Sequence, residues 1–314
     1  MINCCSATHR HHLLATTPQP LNLLAVLSQP WNGPVAGAAA AGRCQASGNP
    51  GPSSLVVMQK SAFEDTRPSD FLMRLAASDL GRSYKSLAVS ELAIRAGDVV
   101  VDLGCGPGAD LAAFAAAVGA NGQVIGVDND PVAAGQARDR TADLPQVDVR
   151  EADIRTLGIP AASVDRVHTD RVLQHVPEPG TALAQARRIL RDGGRAVFAE
   201  PDWDTLIIDY PDLATARAYT RYVADHVVRN ATVGRQLARL AAEAGFRVGK
   251  VIPITAVFRD VQAADQVLGI KRVTARAVDA QYLTQDAASQ WLTHLGIQPF
   301  FASATLYIVT ATAS

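Results

Sequence analysis

The chain has 314 residues, 48% hydrophobic and 19% charged, with 29 basic against 30 acidic residues for a formal net charge of −1. This is the composition of a globular protein of one large domain or two ordinary ones, and the charge balance argues against a protein built to neutralise nucleic-acid phosphates. No run of about 18 apolar residues offers a membrane span, and Cys4, Cys5, Cys44 and Cys105 match neither a disulfide framework nor a zinc motif, so a reducing, cytoplasmic compartment is expected.

Residues 1–57 differ from the remainder. No acidic residue occurs from Met1 to Phe63, and Ala, Pro, Gly, Ser and Thr dominate without a helical or strand period, so this segment reads as a disordered tail ahead of one domain at 58–314. His9, His11 and His12 lie near Cys4 and Cys5, but a tail supplies no fixed metal geometry. The apolar run Leu21–Leu27 is a poor secretory signal, because the long segment before it carries only Arg10 as fixed charge. The abrupt change in composition marks Met58 as an alternative start of the working protein.

Helices are expected at Phe71–Leu80 and Ser86–Ile94, then an alternation of strands and helices. Asp98–Asp102 is an apolar run suited to a strand buried on both faces, and an Ala-rich helix runs from about Ala109 to Val118. Strand Val124–Asp128, a helix started by Pro131, and strands Val147–Glu151 and Val164–Thr169 follow. Helix Thr181–Leu190 is expected to stop at Asp192-Gly193-Gly194, ahead of strand Arg195–Glu200. Further on, Ala214–Val228 and the stripe Leu237, Leu240, Ala241 and Ala244 read as helices, and Val251–Val257 and Phe301–Thr310 as strands. A helical insertion, roughly Ala263–Leu295, separates those last two strands. The order is that of a doubly wound α/β sheet.

The densest signal is Val101-Asp-Leu-Gly-Cys-Gly-Pro-Gly108. Three glycines let the backbone turn and approach a ligand at the start of a helix, where free N–H groups point outward. Taken alone, Gly104, Gly106 and Ala109 also satisfy a relaxed dinucleotide fingerprint. Three acids separate the readings. Asp102, ahead of the first glycine, would repel a pyrophosphate but suits an ammonium-bearing ligand; Asp128 ends the next strand, where it can accept ribose hydroxyls; Asp153, followed by Ile154, can accept from an adenine amino group. Together they outline a site for adenine, ribose and an amino-acid moiety.

On these residues, with Asp165–Val176 and Ile189–Gly194, the sequence resembles the class I S-adenosylmethionine-dependent methyltransferases over about Ser83–Gly245, most closely the ubiquinone/menaquinone-biosynthesis type. The resemblance implies a seven-stranded, Rossmann-like sheet whose last strand is antiparallel, with Phe301–Thr310 as that strand and the helical insertion as a lid over the substrate. It implies S-adenosylmethionine as cofactor: the loop at Gly104, Cys105 and Gly106 with Asp102 holding the methionine part, Asp128 and Asn129 the ribose, Asp153 and Ile154 the adenine, and Arg171 flanking the methyl group. Single glycines can be mere turns and single aspartates helix caps, but their placement after successive strands favours binding.

Methyl transfer from a sulfonium needs alignment and exclusion of water, with a base only where the acceptor must lose a proton. Asp170, after the fourth strand, is the first candidate for acceptor contact, and Glu200, after the fifth, the second. Trp203 is a candidate wall, His168 a buried, paired histidine, and His175 a structural one; Tyr219, Tyr222 and His226 share one helix face. Metal-ligand spacing is absent, so no metal is expected. The expected partner is a small-molecule acceptor methylated at O, N or C, with neither nucleic acid nor membrane, and a homodimer is the candidate assembly. The alternatives are a nicotinamide-dependent oxidoreductase, disfavoured by Asp102 and Asp153, and a non-catalytic scaffold of the same fold, which would not need the downstream acids.

Overall fold

The computed structural model describes Met73, residues 76–297 and residues 299–314. The expected tail at 1–57, the boundary at Met58 and the start of the Phe71–Leu80 helix lie outside the described residues.

Helical backbone at Met73, Ala76 and Ala77 gives way at Ser78 to a helix, α1 (Asp79–Leu92), so the interruption expected between Leu80 and Ser86 falls at Ser78 instead. Gly81 sits in the first turn, where its N–H is bonded to Ser78 Oγ at 3.0 Å. Ser78 is thus an N-cap that satisfies a donor the helix itself cannot. Five parallel strands follow: β1 (Val99–Leu103), β2 (Gln123–Asp128), β3 (Val147–Glu151), β4 (Val164–Asp170) and β5 (Leu190–Ile208). Helices α2 (Leu111–Val118), α3 (Pro131–Arg140) and α4 (Pro179–Ile189) connect them. After β5 come α5 (Leu213–Tyr222), a π-helical turn at Val223–Val227, α6 (Val233–Glu243) and β6 (Phe246–Phe258). Helices α7 (Val261–Leu268), α8 (Ile270–Asp279) and α9 (Gln285–Leu295) then precede β7 (Ala302–Ala313).

The strands form one seven-stranded sheet in the order β3-β2-β1-β4-β5-β7-β6. Strand β7 runs antiparallel to both neighbours, so the expected doubly wound sheet with an antiparallel last strand is what forms. The valines of β1 are buried to both sides. Val101 belongs to a core with Leu183 of α4 and Leu237 of α6, while Val100 belongs to one with Phe114 of α2 and Ala137 of α3. This two-sided burial is why β1 reads as an unbroken apolar run instead of an alternating one.

Strand β5 is far longer than the expected Arg195–Glu200. It continues past Asp202, where the register with β7 shifts, and pairs again at Ile207↔Ser303 and Ile208↔Ala302. This antiparallel extension carries a separate core in which Trp203, Tyr219 of α5, Val273 of α8 and Trp291 of α9 meet. Tyr219 and Trp291 are fully buried with ring centroids 5.1 Å apart. Burial of side chains this size contributes about 1.5–3 kcal/mol each, enough for α5 and α7–α9 to form a packed layer on the extension. No helix among the described residues is long and apolar enough to cross a membrane.

Candidate functional site

The strand order reverses at β1, which pairs with β2 on one side and β4 on the other. At such a switch point the loops leaving the two strand ends diverge and open a crevice. Here the loop after β1 and the residues after β4 enclose a cavity of about 50 Å³ lined by Asp102, Gly104, Cys105, Gly106, Asp170 and Arg171, with Tyr84 and Lys85 of α1 and Asp110 completing the wall.

Backbone requirements fix the loop. Gly104, Gly106 and Gly108 all have positive φ. A Cβ on Gly104 would lie 2.4 Å from Val172 Cγ2, so the loop and the segment after β4 can only approach this closely with glycine there. Gly104 N and Cys105 N donate to Val127 O at 2.7 and 3.0 Å, tying the loop to the end of β2. Gly106 N donates to Asp128 Oδ2 at 2.7 Å, and Asp130 N to Asp128 Oδ1 at 2.9 Å. Burial raises the Asp128 carboxyl above the ordinary aspartate value, partly offset by these two N–H bonds. Both oxygens retain lone pairs, since each holds a single N–H. Asn129 is exposed on the same rim. Cys105 is buried, and burial raises its thiol pKa, so it is a packing residue of the loop and no nucleophile.

Beneath the loop lies a buried charge network. His168 Nδ1 is 2.8 Å from Asp102 Oδ1, both almost without exposure. Burial opposes charge on this imidazole, but the bonded Asp102 and nearby Asp110 raise its pKa above the usual histidine value. Candidate ligand atoms of Asp102, Asp110 and His168 lie within 4.8 Å of one another, a grouping the sequence spacing did not disclose. The Asp102–His168 ion pair accounts for it with protein groups alone. Next to it, Asp170 Oδ2 accepts from Tyr84 Oη at 3.0 Å and from Lys85 Nζ, and Lys85 Nζ also reaches Asp110 Oδ2 at 2.6 Å. Asp170 Oδ1 is buried and has no hydrogen-bond partner among the described residues. Burial pushes the Asp170 carboxyl up, but Lys85 and protonated His168 outweigh it and hold the group below the ordinary aspartate value. Arg171 has a left-handed backbone (φ 60), uncommon for a residue with a side chain.

Of the expected site residues, Asp102, Gly104, Cys105, Gly106, Asp170 and Arg171 thus meet at one cavity, with Asp128 hydrogen-bonded to its floor. Asp153 follows β3 further along the same edge, but its carboxylate forms a two-pronged ion pair with Arg155, which lowers its pKa, and Ile154 packs into the main core. Glu200, the second catalytic candidate, is turned away from the crevice. It is fully buried, and Oε1 accepts from Val172 N at 2.7 Å and from Leu173 N, with Gln174 N near Oε2. Its carboxylate caps the turn after β4. Trp203, expected as a wall, donates from Nε1 to Gln174 Oε1 at 2.8 Å and belongs to the second core.

Sequence reasoning missed Tyr84, Lys85 and Asp110. Asp110 had a usable signal: it directly precedes α2, yet its side chain makes no capping bond and is free to face Lys85. Tyr84 and Lys85 had none, because only the packing of α1 brings them to a strand end more than eighty residues away.

Residues 101–198 match the family model of a methyltransferase domain. Over 263 residues the chain is 54% identical to an uncharacterized 37.1 kDa protein in transposon TN4556 of Streptomyces fradiae, covering 83% of this chain and 76% of that one. It is 30% identical over 203 residues to trans-aconitate 2-methyltransferase of Azoarcus sp., covering 64% of this chain and 69% of the relative. The match to 2-phytyl-1,4-naphtoquinone methyltransferase of Synechococcus elongatus is shorter, 37% identity over 125 residues, 38% of this chain and 53% of that protein. Among solved structures, a protein from Bacillus halodurans shares the fold with a TM-score of 0.55 at 16% identity, over 74% of this chain and 99% of that one. The domain match begins at the strand that feeds the glycine loop and ends in β5, and a relative of the same activity covers the greater part of both chains: this chain belongs to the class I S-adenosylmethionine-dependent methyltransferases.

Proposed function

We infer that the protein methylates a small-molecule acceptor, with S-adenosylmethionine (SAM) as donor, at the crevice between the glycine loop and the end of β4. One observation carries the reading: the loop, Asp102, Asp170 and Arg171, distant in sequence, converge on one cavity at the switch point of the sheet. The residues present fit the cofactor. The loop lines the cavity with Gly104, Cys105 and Gly106, and Asp128 keeps acceptor capacity for ribose hydroxyls, with Asn129 beside it. Asp102 and Arg171 are assigned to the methionine part, and Asp153 and Ile154 to the adenine side, where Asp153 shares its carboxylate with Arg155. When bound, SAM supplies a methyl group already activated by its sulfonium charge.

The chain's own contribution is then positional. Asp170 is held ionised by Lys85, which makes it a weak base at neutral pH but a strong hydrogen-bond acceptor. It is assigned to orient the acceptor through Oδ1. Glu200 acts at one remove, holding the turn that carries Arg171 and Val172. The layer formed by α5 and α7–α9 is assigned as the substrate lid, and no metal is assigned a role. Relatives named for trans-aconitate and a phytyl naphthoquinone support a small acceptor while leaving its chemistry wide. Incubating the purified chain with methyl-labelled SAM and metabolite extracts tests the reading: a labelled small product is expected, and labelling confined to protein or nucleic acid would reject it.

A further inference from the structure

We propose that Lys85 is a displaceable stopper, which a sulfonium nucleoside such as SAM drives out of the cavity more readily than the corresponding thioether. The proposal rests on the SAM reading of the site. The first observation is size. The cavity measures about 50 Å³, whereas pockets for small ligands occupy roughly 300–1,000 Å³. Some wall must yield, and Tyr84 and Lys85 form the wall supplied by α1. Tyr84 is 4% exposed, with its hydroxyl bonded to Asp170. Lys85 ends a flexible four-carbon stem and can swing away.

The second observation is what holds Lys85. Its ammonium bridges Asp110 and Asp170, whose side chains are 12% and 8% exposed, and is itself 16% exposed. Two buried carboxylates left without a cation are strongly disfavoured. A ligand without a sulfonium that displaced Lys85 would leave them only His168 and Arg171 as compensating cations. A ligand with a sulfonium charge, beyond the α-ammonium that SAM and its thioether product share, compensates for the departing Lys85 ammonium, and the exchange becomes more favourable. Methyl transfer converts the sulfonium to a neutral thioether, because the electron pair of the broken S–C bond stays on sulfur. The charge that kept Lys85 out is then gone, and its return to Asp110 and Asp170 favours release of S-adenosylhomocysteine (SAH). Lys85 is therefore a positioning residue that couples the charge of the ligand to opening of the site.

The test measures Lys85 itself, in the wild-type full chain. An amine-acylating reagent is applied with and without SAM or SAH, ligand binding is followed by calorimetry, and the labelled peptides are quantified by mass spectrometry. Lys250, 64% exposed, serves as the internal control. At the same concentration SAM should raise acylation of Lys85 several-fold, SAH, which must expel the same side chain without a sulfonium to compensate, should raise it far less, and Lys250 should respond to neither. Bound SAM with Lys85 still protected would overturn the stopper while leaving the cofactor reading intact. Failure of SAM to bind at all would overturn both. Lys85→Met adds an independent readout: affinity for SAM should rise about tenfold relative to SAH, because the vacated seat now favours charge. Parallel weakening of both ligands would mark Lys85 as a structural pin and overturn the proposal. Should that variant not fold, the wild-type labelling decides alone.

Discussion

Asp170 divides its carboxylate between two tasks. One oxygen anchors Tyr84 and Lys85, and the other, buried, has no partner among the described residues. Asp170→Asn keeps an acceptor in place but removes the charge. Turnover should fall about tenfold or less, short of the roughly 10²–10⁴-fold loss expected for a true general base. SAM affinity measured by calorimetry should change by no more than a few-fold, and a larger drop would move Asp170 into the cofactor site. Asp128 is the sharper test of that site. Asp128→Ala should weaken SAM binding by about 1.5–3 kcal/mol, the range for hydrogen bonds to a charged group. Asp128→Asn, which retains one oxygen for the Gly106 N–H, should lose less. Equal affinities for all three proteins would reject the ribose assignment. The positions of Asp102, Asp128 and Asp170 were legible in the sequence because each ends a strand, and strand ends in this architecture line one edge. The partners of Asp170 were not, because nothing local to Tyr84 or Lys85 encodes where α1 docks.

At the scale of the element, the turn after β4 shows how a loop is held without regular structure. Glu200 takes N–H groups of residues 172–174, and Gln174 Nε2 donates to Arg171 O at 3.1 Å. Asn230 Nδ2 donates to Leu173 O and Val176 O at 2.7 and 2.6 Å. Asn230→Ala removes a donor from two carbonyls, of which Leu173 O still accepts from Val176 N, and should lower unfolding free energy by about 1–3 kcal/mol. Tyr219→Phe is the contrasting case in the lid layer. Its hydroxyl is buried with no hydrogen-bond partner among the described residues, so its removal should leave stability unchanged or raise it by up to about 1 kcal/mol. Denaturant melts compare the two directly, and a loss on Tyr219→Phe as large as that on Asn230→Ala would show that the hydroxyl has a partner in solution. Local signals misled at two elements for identifiable reasons. The gap between the first two helices was misplaced because the N-cap at Ser78 was overlooked. Asp192-Gly193-Gly194 suggested a helix stop and a late strand, whereas Leu190 already pairs with Val164, a long-range contact that turn chemistry does not report.

Across the whole molecule, buried titratable groups give stability an unusual dependence on pH. Glu200 is pushed up to about 8 from an ordinary value of 4.5, burial outweighing its backbone N–H bonds. The folded state therefore holds a proton there more tightly than the unfolded chain does, and this contribution is lost as pH rises from about 4.5 through 8. His175 works in the other direction. Burial, with Arg171 and Arg229 nearby, lowers it from 6.5 to about 4, so its contribution is present above 6.5 and lost as pH falls through 4. Between about 4.5 and 6.5 the two slopes oppose each other. Above 6.5 only Glu200 of this pair still titrates, and His168, whose pKa is raised, adds to the same trend. Thermal melts should accordingly show a plateau through mildly acidic pH and a decline from about 6.5 to 8, where many proteins gain or hold stability. Glu200→Gln isolates the cause. Its side-chain oxygen can keep the two N–H bonds of Val172 and Leu173, both of which go to one oxygen of Glu200. The variant should melt with a flatter profile above pH 6.5 and, by keeping the turn in place, should retain its affinity for SAM. A decline as steep as that of the wild-type chain would show that Glu200 stays ionised in the fold, its three N–H bonds outweighing burial, and that the pH dependence arises in His168 and the charge network around Asp102.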